Sequence, residues 1–204
     1  MRLRGLPCSH LREKLVAVIL LTPRAFSDAR GWFSETYHQA RAAEAGIDVA
    51  FCQDNQSFSV HAGTIRGLHF QRPPFAQAKL VRCIRGSIWD VAVDARRGSP
   101  TYGQWVGAIL SADNRRQLFM PAGFLHGFIT LEDDTEVAYK VNAYYDAPSD
   151  GGVKWNDPGL ALPWPLDGRD AVVSDKDATL PAFADFDSPF DYDGVPLQPL
   201  PEIE

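Results

Sequence analysis

Cysteine is scarce in this chain of 204 residues. There are three, Cys8, Cys52 and Cys83, an odd set without Cys-x-x-Cys spacing. Such a set gives no disulfide framework and points to a reducing compartment, the cytoplasm. Positive charge is also short: 20 basic residues face 26 acidic ones, for a net charge of −6. That balance argues against nucleic acid or an anionic membrane as a general partner. Any phosphate-bearing ligand has to be held by a local cluster instead. Long hydrophobic runs are missing too. Arg2, Arg4 and Lys14 ahead of Leu15–Leu21 copy the layout of a signal peptide, but the apolar run has only seven residues. No small-x-small cleavage site follows before Pro23, and the run is far too short to span a bilayer. It reads as a β-strand. Repeats, low-complexity tracts and internal linkers are absent. The chain therefore reads as one domain over 1–204, with a loose extension over 1–12, a core over 15–180 and an extended tail over 181–204.

What is present is mostly β. A turn-rich loop follows Thr22-Pro23, running from Phe26 to Gly31, and Trp32–Glu35 forms a short extended piece. The Ala- and Gln-rich segment Thr36–Ala45, stopped by Gly46, predicts the one helix. Beyond Asp48 the pattern is strand after strand, broken by Gly, Pro and Asp. Val81–Ile84, a tight turn at Arg85-Gly86 and Ser87–Val93 read as a strand pair. Further strands are expected over Gln104–Leu110, Arg116–Met120, Phe128–Leu131 and Glu136–Tyr145. Many short strands with such turns mean a sandwich or barrel. Past Leu180 the aromatics Phe183, Phe186, Phe190 and Tyr192 suit a tail packed on the barrel or on a second subunit.

Chemistry concentrates between Gln53 and Asp90. Gly63, five intervening residues and His69 resemble the opening of the first cupin motif, and Pro121-x-Gly123-x-x-His126 resembles the second. A metal-binding cupin continues His-x-His and then supplies a glutamate; here Gln71 and Lys79 stand in those places. A divalent metal wants imidazole, thiolate or carboxylate, and a protonated lysine repels it. No metal is therefore expected. Arg66, His69 and Lys79 converging on one pocket suit an anionic or oxyanion-forming ligand, because three basic groups buried together need an anionic partner.

Longer words carry a closer resemblance. QDN, RGLHFQ, QAKLVRC, the DVAVD run, GQWVGAILSADNRRQLFMPAGFLHGF, YKVNAYY, WNDP and SDKD follow one another from about Val16 to Leu180. In this order they resemble the dTDP-4-dehydrorhamnose 3,5-epimerase family. The resemblance implies an all-β, cupin-like jelly-roll barrel with one short N-terminal helix and an extended C-terminal tail. It implies a homodimer, no metal and no cofactor. The implied substrate is a 4-keto-6-deoxyhexose on thymidine diphosphate, epimerised at C3 and C5 in rhamnose biosynthesis. The C4 ketone acidifies both neighbouring C–H bonds, so the chemistry needs a base, an acid on the opposite face and a group that holds the enolate.

By the same resemblance His69 is the base, Tyr139 the proton donor and Asp177 the carboxylate that orients the histidine, as in other His–Asp dyads. Lys79 is the cation beside the developing enolate oxygen. Arg66, His126 and Lys176 hold substrate, with Arg30, Glu35, Tyr145 and the run Gln53, Asp54 and Asn55. Trp32 is an aromatic near the base. Asp150 stands where the family commonly has a glutamate. On residue patterns alone, Tyr139 is equally a barrel tyrosine, Lys176 and Asp177 a surface pair, and Glu35 a helix N-terminal charge. Three other readings stay open: an epimerase acting at one centre, a metal-dependent cupin and a non-enzymatic sugar-nucleotide sensor. Because Arg30, Trp32 and Glu35 sit on an N-terminal segment apart from the barrel, the sites are expected to borrow them across a dimer interface.

Overall fold

A computed structural model describes residues 17–200. Twelve strands dominate it: β1 (Ile19–Leu21), β2 (Ala25–Asp28), β3 (Gly31–Ser34), β4 (Gln53–Ser59), β5 (Ile65–Gln71), β6 (Lys79–Arg85), β7 (Ser87–Asp94), β8 (Trp105–Ser111), β9 (Gln117–Met120), β10 (Phe124–Thr130), β11 (Thr135–Val141) and β12 (Asp150–Gly152). One five-stranded sheet runs β1-β9-β6-β11-β4 and a second runs β12-β5-β10-β7-β8. Every pairing within them is antiparallel. β2 and β3 form a separate hairpin. The two sheets pack face to face as a cupin-like jelly roll.

Period-2 alternation explains the layers. Val81, Cys83, Ile88, Ala92, Leu118, Phe128 and Val137 fill the space between the sheets. Leu68, Phe70, Val91, Val93 and Leu125 point out of the second sheet and are covered by Val153, Leu160 and Phe190 from the C-terminal third. That double burial is why β7 reads as a nearly unbroken apolar run. On the outside of the first sheet, Leu80 and Phe119 are covered by Ile47 and by Tyr37 and Ala42 from the segment around the helix α1 (Gln39–Glu44).

Several expectations need correction. The helix is shorter than Thr36–Ala45, because the Thr36 carbonyl is held by the Gln117 amide at 2.9 Å and Tyr37 lies edge-on to Phe51. A second one-turn helix, α2 (Asp175–Ala178), is capped by the Ser174 hydroxyl, which accepts the Asp177 N–H at 3.1 Å. The Ser-x-x-Asp spacing carried that signal. Part of the expected loop at Phe26–Gly31 is β2, and β11 ends at Val141 rather than Tyr145. β6 and β7 are not a hairpin pair: the chain crosses from one sheet to the other at Gly86, whose φ is +75°. A Cβ there would lie 2.5 Å from the Thr135 hydroxyl. Of the expected strand Leu15–Leu21, Leu15 and Val16 fall outside the described residues, as does the extension over 1–12.

The tail packs on the barrel. Phe186 and Phe190 meet Phe70 edge-on, with centroids 5.2 and 5.7 Å away. Arg96, almost fully buried, donates to Asp94 at 2.8 and 2.9 Å and to Asp193 of the tail at 2.7 Å. Removing one partner from the buried Arg96–Asp94 pair costs about 3–5 kcal/mol; the tail adds the partly exposed Asp193 at its edge. Among the described residues no helix is long and apolar enough to cross a membrane.

Candidate active site

The end of the sandwich not filled by apolar side chains is a polar cleft. It has two adjoining lobes, of about 400 and about 280 Å³, that share His69, Lys79, Tyr139 and Lys176. β5 and β10 of the second sheet bring His69 and His126 directly opposite each other. β6 and β11 of the first sheet supply Lys79 and Tyr139. Arg66 lines the cleft alongside His69 although the two are three residues apart. Simple alternation would place them on opposite faces. The register of β5 slips between them, with His69 opposite His126 but Arg66 opposite Phe128. This bulge turns both side chains inward. At its centre Gly67 (φ +137°) presses on Gly127, where a Cβ would come within 2.6 Å of the Gly127 Cα.

Two His–Asp pairs occupy the floor. His69 Nε2 lies 2.7 Å from Asp177 Oδ1, and Asp177 Oδ2 accepts the Gly67 N–H at 3.2 Å. Burial pushes the Asp177 carboxyl up. The hydrogen bond and charge of His69, the Gly67 N–H and the Lys176 charge outweigh it, so the carboxyl stays below the usual range. As a carboxylate it takes the Nε2 proton of His69 and leaves Nδ1 as the basic nitrogen. The second pair is His126 Nε2 with Asp90 Oδ1, also 2.7 Å. Burial, with help from Lys79 and His69, lowers His126 despite the Asp90 charge, which favours a neutral ring.

Lys79 Nζ stands 3.5 Å from His126 Nδ1. Burial brings its ammonium down to about 8 against the opposing pull of Asp90 and Asp150, with Lys176 adding to the fall. Tyr139 is raised by burial and Asp150 although Arg66 opposes the shift. It therefore keeps its proton near neutral pH. At the mouth Lys176 and the Tyr145 hydroxyl both donate to Asp150 Oδ2, at 2.5 and 3.2 Å. Gln53 donates to Asn55 at 2.9 Å and accepts the Tyr145 N–H at 3.0 Å. An imidazole backed by a carboxylate, a protonated phenol on the facing sheet and an ammonium lining the same cleft can serve acid–base chemistry on a substrate that becomes an anion.

Residues 12–185 match a family model described as dTDP-4-dehydrorhamnose 3,5-epimerase. The chain belongs to the dTDP-4-dehydrorhamnose 3,5-epimerase family. A relative of that name from Sinorhizobium fredii is 50% identical over 178 residues, covering 87% of this chain and 91% of its own. Among solved structures, the dTDP-4-dehydrorhamnose 3,5-epimerase of Bacillus anthracis, with TDP and PPi bound, is 53% identical with a TM-score of 0.79. It covers 81% of this chain and 93% of its own. The Legionella pneumophila dTDP-6-deoxy-D-glucose-3,5-epimerase, in complex with dTDP-4-keto-L-rhamnose, is 42% identical with a TM-score of 0.82, covering 87% and 94%. The family is one of isomerases acting on carbohydrates.

Within this epimerase family member, some sequence candidates lie away from the cleft. Alternation along β4 turns Gln53 and Asn55 inward and Asp54 to the opposite face, where Asp54 accepts from Lys140 at 2.8 Å. Arg30 is exposed at the tip of the β2–β3 hairpin and pairs with Asp28. Glu35 accepts from Arg41 at 2.7 Å. Trp32 lies with the Arg115 guanidinium 5.7 Å from its ring centroid, over a small pocket that also includes Arg82 and Cys83. Gln71, in the place of a second metal-binding histidine, spends its amide on the Phe75 and Tyr144 carbonyls and the Asp146 N–H. Among the described residues no cluster of three or more His, Cys, Asp and Glu side chains could hold a metal ion. Asp90 had no role in the sequence reading. Its signal was present: alternation along β7 puts this carboxylate between Ile88 and Ala92 on the core face.

Proposed function

We propose that the chain inverts C3 and C5 of dTDP-4-dehydro-6-deoxy-D-glucose to give dTDP-4-dehydro-L-rhamnose, within dTDP-L-rhamnose biosynthesis. His69, through Nδ1, removes the proton beside the C4 ketone. The electron pair moves onto the ketone oxygen, where the Lys79 ammonium meets the developing charge. Donors of this kind are worth about a hundred- to a thousand-fold. Tyr139 then delivers a proton to the opposite face of the carbon; solvent takes the proton from His69 and returns one to Tyr139, and the sequence is repeated at the second centre. Arg66 and Lys176, beside the neutral His126 ring, supply the local positive charge for an anionic nucleotide sugar on a chain of net charge −6. The observation that carries this reading is His69 on one sheet, backed by Asp177 of α2, and Tyr139 on the other sheet, across one cleft that also holds Lys79.

Solvent deuterium tests it. Incubation of the 4-keto sugar nucleotide in D₂O is expected to place label at both C3 and C5, read by NMR. Label at a single carbon would leave an epimerase acting at one centre. Binding without any exchange would leave a sugar-nucleotide sensor.

The active form is a homodimer, and free Cys52 and Cys83 suit the reducing cytoplasm. The β2–β3 hairpin holds Phe26, Trp32 and Phe33 at 52, 58 and 70% exposure. Phe26 and Phe33 are paired on one face of the hairpin and Trp32 lies on the other; exposed apolar side chains of this kind support an interaction site. In this reading the hairpin, with Arg30 and Glu35 on the same segment, completes the cleft of a second copy. Light scattering is expected to give twice the chain mass; a fully active monomer at micromolar concentration would end the idea.

A further inference from the structure

Asp90 is a fully buried carboxylate on a row of β7 otherwise filled by Ile88 and Ala92 of the core. An unpaired carboxylate is not retained in such surroundings without a compensating charge. Its Oδ1 takes the hydrogen bond from His126 Nε2 at 2.7 Å, while its Oδ2 has no partner among the described residues. The other ring nitrogen, Nδ1, faces the Lys79 ammonium at 3.5 Å. A lysine ammonium only donates, so Nδ1 must be the accepting nitrogen and Nε2 must carry the proton that goes to Asp90. Three residues from three strands thus form one line: cation, neutral ring, anion.

We propose that Asp90 is a positioning residue which, through His126, holds the Lys79 ammonium charged and aimed at the enolate oxygen. This rests on the epimerase reading of the cleft. The carboxylate fixes the ring tautomer, the tautomer leaves Nδ1 as an acceptor, and the acceptor orients the Lys79 proton donors. The carboxylate's charge also opposes the burial that lowers the Lys79 ammonium to about 8. Other groups face Lys79 as well. They are His126 from β10, His69 and Arg66 from β5, Tyr139 from β11, Asp150 from β12 and Lys176 from α2. Among the described residues the charges that hold the ammonium up are those of Asp90 and Asp150, and Asp150 is already engaged by Lys176 and Tyr145 at the mouth. Tyr139, raised above its ordinary value, does not titrate in the same range.

Asp90→Asn keeps the shape and removes the charge. The proton on Lys79 can be read without turnover by competitive acetylation with acetic anhydride across a pH series, since only the free amine reacts; peptide mass spectrometry reports Lys79. The parent midpoint is expected near pH 8, and Asp90→Asn is expected to lower it by about one unit, the low end for a lost neighbouring charge. At pH 8 the charged fraction would then fall from about one half to about one tenth. The alkaline limb of kcat/KM for solvent exchange is expected to move by the same amount, with activity recovered toward lower pH. Asp90→Glu, which keeps the charge, is expected to keep the parent midpoint. If Asp90→Asn does not fold, Asp90→Ser is read in the same way. A midpoint unmoved in the folded neutral variant overturns the proposal, even where activity falls equally at every pH, because a merely structural aspartate does that. A shifted midpoint in a protein whose parent exchanges no substrate proton keeps the relay and sinks the epimerase reading instead.

Discussion

His69→Asn is expected to remove turnover and solvent proton exchange together, by about ten-thousand-fold, the upper end of what a positioned base contributes. Asparagine has no basic nitrogen but is close to the ring in reach. Its amide can still donate to Asp177 Oδ1, the acceptor that His69 meets at 2.7 Å. Asp177 keeps the Gly67 N–H and its place at the start of α2, where Ser174 caps the turn. The fold is therefore expected to hold, and an unchanged thermal midpoint separates lost chemistry from lost structure. Among the described residues no other group in the cleft combines an open nitrogen with such a carboxylate. The His126 Nδ1 is taken by Lys79. The measurement is deuterium incorporation at C3 and C5 by NMR, with the unlabelled sugar recovered. Normal exchange in His69→Asn would mean that the base, and with it the whole assignment of the cleft, is wrong.

Tyr139→Phe separates the two halves of the reaction. The ring stays packed among Val81 and Val137, which share its side of the sheet, and only the hydroxyl goes. His69 can still take a proton, so exchange at one carbon is expected to remain measurable. Inversion is expected to fall about a hundred- to ten-thousand-fold. A proton returned by His69 arrives on the face it left and restores the starting sugar. The contrast between exchange and inversion is the signature, since a misfolded or empty site would lose both. Inversion of both centres at the parent rate would place the donor elsewhere. Tyr145 is the first suspect, although its hydroxyl is engaged by Asp150 at 3.2 Å; water is the second.

The local pattern of the chain was enough to place most of the strands. Alternating apolar and polar residues bounded by Gly, Pro and Asp identify β6, β7, β8, β9 and β11, with ends off by a few residues, because a strand's face and extent are properties of neighbouring side chains. The words around His69, Lys79, Tyr139 and Asp177 named the candidate chemistry through the family resemblance. The four lie in one cleft. The Ser174–Asp177 cap and the carboxylate at Asp90 were written in the sequence as well. One is a capping spacing, the other a charge on an apolar row, and both fell short of a prediction only because short signals are ambiguous without contacts.

Sequence by itself determined strands, turns, net charge and the identities of the reactive groups, since these depend on residues close together along the chain. Tertiary structure decided which strands became neighbours. β6 and β7 join through Gly86 yet lie in different sheets, because pairing is settled by distant partners, β11 and β9 for one and β10 and β8 for the other. It decided that Arg66 and His69 share a face, through a bulge that no period of two contains. It left Arg30, Trp32 and Glu35 outside the cleft of their own chain, and turned the tail onto Phe70. It also set the protonation of the site. A lysine brought down to about 8 and a tyrosine raised above its ordinary value arise from burial and from charges contributed by other strands, and those distances exist only once the two sheets have closed on each other.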